Sequence, residues 1–169
     1  MKSFNQFISE AASRSFSRMH KHLEDDRTLG FVSASRGEHT PAENNKKTEE
    51  LRKSLMAHGY SPVRVKGETI EDQNGKQVAV KEKSFMVHSG DKTHDEFVSD
   101  LTKHGKMFKQ DSVLAVSRKR GSNFHYTRDT SDAPEGATAR LGAGEFRTGP
   151  ELEREQYKSR LKGRPFSMG

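Results

Sequence analysis

The sequence predicts an α+β protein, a ferredoxin-like β-α-β-β-α-β sheet with two helices plus a basic C-terminal hairpin and short helix, and three observations predict its core. Two Thr-x-x-Glu capping boxes, Thr40 to Glu43 and Thr93 to Glu96, each open a short amphipathic run. Alternating valines flank Asn74-Gly75, a dipeptide suited to a tight hairpin turn. Leu, Ile, Val and Phe number 30 among 169 residues, and 19 of them fall between positions 29 and 116, which places one small core there and polar flanks around it.

Leu29 to Ser35 reads as the first strand. Thr40 then serves as N-cap with Pro41 at the first helical position, and Thr48, Leu51 and Leu55 share one face of a helix that stops at Gly59. Val63 and Val65 alternate on one arm of a hairpin, Val78 and Val80 on the other, and Phe85 and Val87 continue the second arm. The second helix buries Phe97, Val98 and Leu101 and is closed by Gly105, and Ser112 to Ser117 makes the fourth strand. Helical crossovers between strands are right-handed, so the compact solution is a four-stranded antiparallel sheet with both helices on one face. A small three-layer α/β sheet is the competing architecture.

Composition narrows the function classes. The chain has no cysteine, which excludes disulfides, a thiolate metal site and a thiol nucleophile. No run approaches the roughly 20 apolar residues that span a bilayer, so no membrane partner is expected. Lysine and arginine outnumber acids 30 to 24, and a basic balance favours polyanionic partners without specifying a fold.

Phe4, Phe7 and Ile8 lie at i, i+3 and i+4, one face of a short helix extended by Ala11 and Ala12. Arg14, Arg18 and Lys21 follow among serines and read as a flexible basic linker over residues 11–28. The run Met1 to Ala11 resembles the capsid-targeting peptide of T-even-type phage internal head proteins. That resemblance implies docking to the phage scaffolding core through Phe4, Phe7 and Ile8, and cutting by the prohead protease at Ile8-Ser9-Glu10 to leave Ala11 as the new N-terminus. An organelle transit peptide, or an ordinary helix packed on its own domain, are the rival readings. Residues 1–10 would thus be a cleavable peptide ahead of a domain at 29–128.

Residues 29–117 also resemble an uncharacterised bacterial and phage domain family. The matching residues are Glu43-Asn44, Leu51, Leu55, Gly59 and Tyr60, then Glu82, Ser84, Phe85, Met86 and Val87, then Phe108, Gln110 and Ser112 to Leu114. Glu82, Ser84 and Gln110 are the polar exceptions, placed to gather near one sheet end or to satisfy backbone groups there.

Beyond Ser117 the chain turns basic. Arg118, Lys119 and Arg120 with Arg128 flank Phe124 and Tyr126, a mixture of cations and rings that suits phosphates and unpaired bases; a solvated basic hairpin is the alternative. Residues 129–150 read as a loop containing glycine and proline, and Glu151 to Leu161 as a short helix, within a C-terminal segment 129–169.

For catalysis, Glu38 and His39 with Glu82 or His88 form the one acid-base set that loops at strand ends could bring together. No cofactor and no metal site is expected. The combined expectation is a head-internal protein, packaged in the virion and carried with DNA into the host cytoplasm, that binds nucleic acid or a host defence or transcription protein without catalysis. The alternative is a small phage or bacterial enzyme hydrolysing nucleotides or phosphodiesters.

Overall fold

The computed structural model describes the backbone of every residue except Lys2 and Gln156, and all side chains except those at positions 2, 4, 5, 7–13, 69, 71, 156 and 157. Its elements are α1 (Phe4–Glu24), β1 (Leu29–Ser33), α2 (Pro41–Ala57), β2 (Val63–Gln73), β3 (Lys76–His88), α3 (His94–Met107), β4 (Ser112–Ser117), β5 (Gly121–Tyr126), β6 (Thr138–Gly142), β7 (Arg147–Thr148), a 3-10 turn (Pro150–Arg154), β8 (Tyr157–Leu161) and β9 (Arg164–Ser167).

The ferredoxin-like expectation is overturned. The strands form one antiparallel sheet of nine, ordered β6-β5-β4-β1-β3-β2-β8-β9-β7, curled into a half-barrel with three helices. The sequence gives little sign of β6 to β9, which carry few alternating apolar residues; β6 has only exposed and partly buried positions. The helix expected over Glu151 to Leu161 is instead a 3-10 turn followed by β8. Asn74 and Gly75 both have positive φ, 57° and 80°, the backbone a two-residue hairpin turn requires. Gly59, also at positive φ, ends α2 as its sequence position suggested.

The convex face holds one core. Leu51 and Leu55 of α2 and Phe97 and Leu101 of α3 pack on Val32, Phe85, Val87 and Val113 of the sheet. Gly105 does not end α3. A side chain there would meet Val113 at 2.7 Å, and one at Gly30 would meet Phe97 at 2.7 Å, so these two glycines let the helix lie against β1 and β4.

The concave face holds the second core, and α1 fills one end of it. The helix runs unbroken through the stretch read as a linker, because Phe16, Met19 and Leu23 continue its apolar stripe and are buried against Leu29, Phe31, Met86 and Val116. The side chains of Phe4, Phe7, Ile8, Glu10 and Ala11, to which docking and processing were ascribed, lie outside the described residues. Leu161, Phe166 and Met168 close the core from the C-terminal strands. The two ends of the sheet meet there: the Ser122 hydroxyl donates to the Met168 carbonyl, and the Glu145 amide donates to Gly169 at 3.0 Å.

Candidate active site

Along the strands of the concave face, inward positions change from apolar to polar. On β1, Leu29 and Phe31 give way to Ser33; on β3, His88 and Met86 give way to Ser84 and Glu82; pairing of Ser33 with Ser84 keeps them on one face. The apolar half takes α1, and the polar half is left lining a recess of about 220 Å³ that Glu82, Ser84, Gln110, Ser112 and Phe124 share. Opposite Glu82 on β2 stands Gly67, followed on β8 by Ser159. A side chain at Gly67 would meet nothing closer than 3.8 Å, so the flank of Glu82 is open space.

Glu82, Gln110 and Ser112 also line a second, wider cleft of about 680 Å³, whose other wall is the β1–α2 loop. The three residues are therefore the wall between an inner and an outer chamber. Burial pushes the Glu82 carboxyl above the ordinary glutamate value, and the negative charge of Asp111 adds to it, while the Ser33 hydroxyl works against it. That hydroxyl also donates to the Lys83 carbonyl at 2.7 Å, so its one proton has two acceptors. The Gln110 amide is fixed by donating to the Ser35 and Phe108 carbonyls, both at 3.2 Å.

The β1–α2 loop is clamped from both sides. The Arg36 amide donates to Asn44 Oδ1 at 2.9 Å, and Asn44 Nδ2 returns a bond to the Arg36 carbonyl at 3.0 Å. The Arg36 guanidinium reaches Glu38 and the Lys109 carbonyl. Hydrogen bonding from Arg36 holds the Glu38 carboxyl below the usual glutamate range, and the side chain is largely exposed at the rim. His39 lines the same cleft with a buried Nδ1 that has no hydrogen-bond partner.

Glu38, His39 and Glu82 thus meet in one cleft, whereas His88 sits elsewhere, its ring stacked on His22 at 4.0 Å. Among the described residues no group of three or more His, Asp and Glu side chains could hold a metal ion. The contributions of Ser33, Gly67, Ser112 and Phe124 were missed. The switch from Phe31 to Ser33 and from Met86 to Ser84 and Glu82 at period two is the sequence signal that points to them.

The basic segment expected to contact nucleic acid lies partly on the surface and partly in the sheet. Arg118, Lys119 and Arg120 form the exposed turn between β4 and β5, with Lys119 facing Asp26 at 3.4 Å and Arg120 facing Asp95 at 3.3 Å. Arg128 pairs with Asp111 at 3.6 Å. Phe124 turns into the inner recess, and Tyr126 stands opposite Ser112 in the sheet.

The polar recess inside the curled sheet, with a half-buried carboxylate at its wall, is of a size for a small molecule. The model of the S-adenosylmethionine lyase family matches residues 30–159. The chain belongs to that family.

A solved structure described as a phage SAM lyase in complex with S-methyl-5'-thioadenosine is 18% identical and covers 69% of this chain and 88% of its own, with a TM-score of 0.33. No curated protein matches the sequence. Family membership overturns several expectations together. Residues 29–117 belong to a named enzyme family, not an uncharacterised one, and the non-enzymatic binder and the nucleotide or phosphodiester hydrolase both give way to it. The capsid-targeting reading finds no support, and with it the scaffolding core, prohead protease, DNA and host protein fall away as expected partners.

Proposed function

We propose that this chain cleaves S-adenosylmethionine without water, at the wall formed by Glu82, Gln110 and Ser112. The observation that carries the proposal is the half-buried Glu82 carboxyl between two chambers, with open space over Gly67, in a chain of this family.

The substrate's sulfonium makes each neighbouring carbon electrophilic and offers a neutral thioether as leaving group. The aminobutyryl arm carries an anionic internal nucleophile, its carboxylate. Attack of the substrate's own carboxylate oxygen on Cγ forms a C–O bond while the S–Cγ bond breaks, and the bonding pair leaves on sulfur. The products are S-methyl-5'-thioadenosine and homoserine lactone, so atoms and charge balance with no added reactant. Elimination would instead need a base for an unactivated Cβ hydrogen, and a carboxylate is feeble there. Ring closure needs the arm folded on itself, and well-oriented internal reactions gain effective molarities of roughly 10⁵–10⁸ M.

Glu82 is best used on the substrate's ammonium group. A carboxylate against the sulfonium would favour the substrate, whose charge vanishes as the bond breaks, over the transition state. Held at the ammonium, Glu82 folds the arm and leaves the sulfonium facing less polar surroundings. Ser33, Ser84 and Ser112 supply hydroxyls around it, and Gln110 gives a fixed amide. His39 lines the outer chamber, and Glu38, already satisfied by Arg36, stays at the rim.

The test is product analysis in H₂¹⁸O. Unlabelled lactone together with methylthioadenosine is expected at early times. Label in the first-formed lactone, or a chain that leaves S-adenosylmethionine intact, would overturn the proposal. Glu82→Gln should lower kcat/KM by roughly 10–100-fold, the worth of one charge-assisted contact.

A further inference from the structure

On the convex side, beyond the edge of α2, lies a cleft of about 580 Å³ between β2, β3 and the β8–β9 turn. Its lining includes Arg64, Lys66, Lys81, Lys83, Arg160 and Lys162, and no carboxylate. Across three strands, Lys66 stands directly opposite Lys83 on one side and Arg160 on the other. Like charges directly opposed across strands are destabilising. Arg160 is relieved by Glu68 at 2.9 Å and by Glu153, and Arg64 reaches Glu49 at 3.7 Å. Lys83 is held at the wall by Asn45 Oδ1 at 2.6 Å. Lys66, Lys81 and Lys162 have no ion pair among the described residues.

A second observation points to a ligand. Thr48 of α2 lines this cleft at 5% exposure, and its buried hydroxyl has no hydrogen-bond partner among the described residues. Such an orphan group costs free energy unless something fills its bonding capacity. A row of like charges and an unsatisfied hydroxyl, side by side, are two separate costs that one anionic ligand removes together.

We infer that this cleft binds a chain of phosphates. Opposed residues in antiparallel strands are about 4.5–5.5 Å apart, so the Arg160–Lys66–Lys83 row is a linear track about 10 Å long. Lysine ammonium groups act on phosphate as point charges. The Thr48 hydroxyl, with one proton to give, supplies the directional contact to an oxygen. The inference does not rest on the reading of the Glu82 site, which faces the other side of the sheet.

The experiment is calorimetric titration of the full chain with inorganic tripolyphosphate, ATP, adenosine and a hexaglutamate peptide at matched ionic strength. Tripolyphosphate should bind at one site per chain and adenosine should not. ATP binding equal to tripolyphosphate identifies the phosphate chain alone as the ligand, and tighter ATP binding identifies a nucleotide; both support the inference. Hexaglutamate binding as tightly as tripolyphosphate, or no saturable site, would overturn it. Thr48→Val should weaken tripolyphosphate about tenfold while keeping the net charge, and Lys66→Glu should weaken it at least as much. Both variants should melt no lower than the parent, because each removes an unfavourable feature. Unchanged affinity in either folded variant sinks the proposal.

Discussion

Glu82 sets stability and activity against each other. Its carboxyl titrates above the ordinary glutamate value in the folded chain, so the native state holds this proton more tightly than the unfolded one. The resulting stabilisation is complete below the unfolded value and is lost as pH rises through the folded one. At neutral pH the ionised group therefore destabilises the fold. Glu82→Gln should raise the Tm at pH 7 and leave it nearly unchanged at pH 3.5; a gain of about 1 kcal/mol would move it by about 2–4 °C. Activity should run the other way with pH, rising as Glu82 ionises, with a midpoint above that of a free glutamate. A kcat/KM profile of the parent, compared with a flat profile in Glu82→Gln, checks the sign. Glu38→Gln should change kcat/KM less than threefold, since Arg36 already occupies that carboxylate at the rim.

The helices were legible in the sequence to different depths. Both capping boxes close as Thr40 with Glu43 and Thr93 with Glu96 suggested, because a cap is a local hydrogen-bond pattern and needs no knowledge of the fold. The concave core was not legible: Phe16, Met19 and Leu23 sit among basic residues and reveal their role only when Phe166 and Met168 arrive from the far end of the chain. Two of the candidate site residues, Glu38 and His39, were adjacent in sequence, but their meeting with Glu82 depends on the Asn44 clamp. At its C-terminal end α1 carries His22, stacked on His88 beside Arg27. Burial lowers both histidines; the charges of His88, Arg27 and Lys21 add to it for His22, against Asp25, and that of Arg27 adds to it for His88. Depressed histidines take protons more readily when unfolded, so their effect is a loss of stability as pH falls below about 6.5. Hydrogen exchange should show α1 opening more often at pH 5.5 than at pH 7.5, and His22→Phe should shrink that difference.

At the scale of the molecule, the sheet has a convex side closed by two helices and a concave side closed by the chain's own two ends. Phe16 from α1 meets Phe166 from β9 at 5.8 Å and Phe146 at 5.6 Å, and Phe31 of β1 meets Phe166 at 6.2 Å. Phe166, fully buried, therefore joins the first helix, the first strand and the last strand in one contact set. Removing such a ring from a core costs about 3–5 kcal/mol, a large part of the roughly 5–15 kcal/mol that holds a domain together. The chamber around Glu82 depends on the same closure, because Ser159, Ser167 and Met168 of the C-terminal segment line it. Phe166→Ala should accordingly lower stability by that amount in urea and also raise KM, whereas Leu55→Ala on the convex side, fully buried against α2's own core, should cost about 2–5 kcal/mol and leave KM unchanged. Equal effects of the two substitutions on KM would mean that the chamber does not depend on the closure of the concave face.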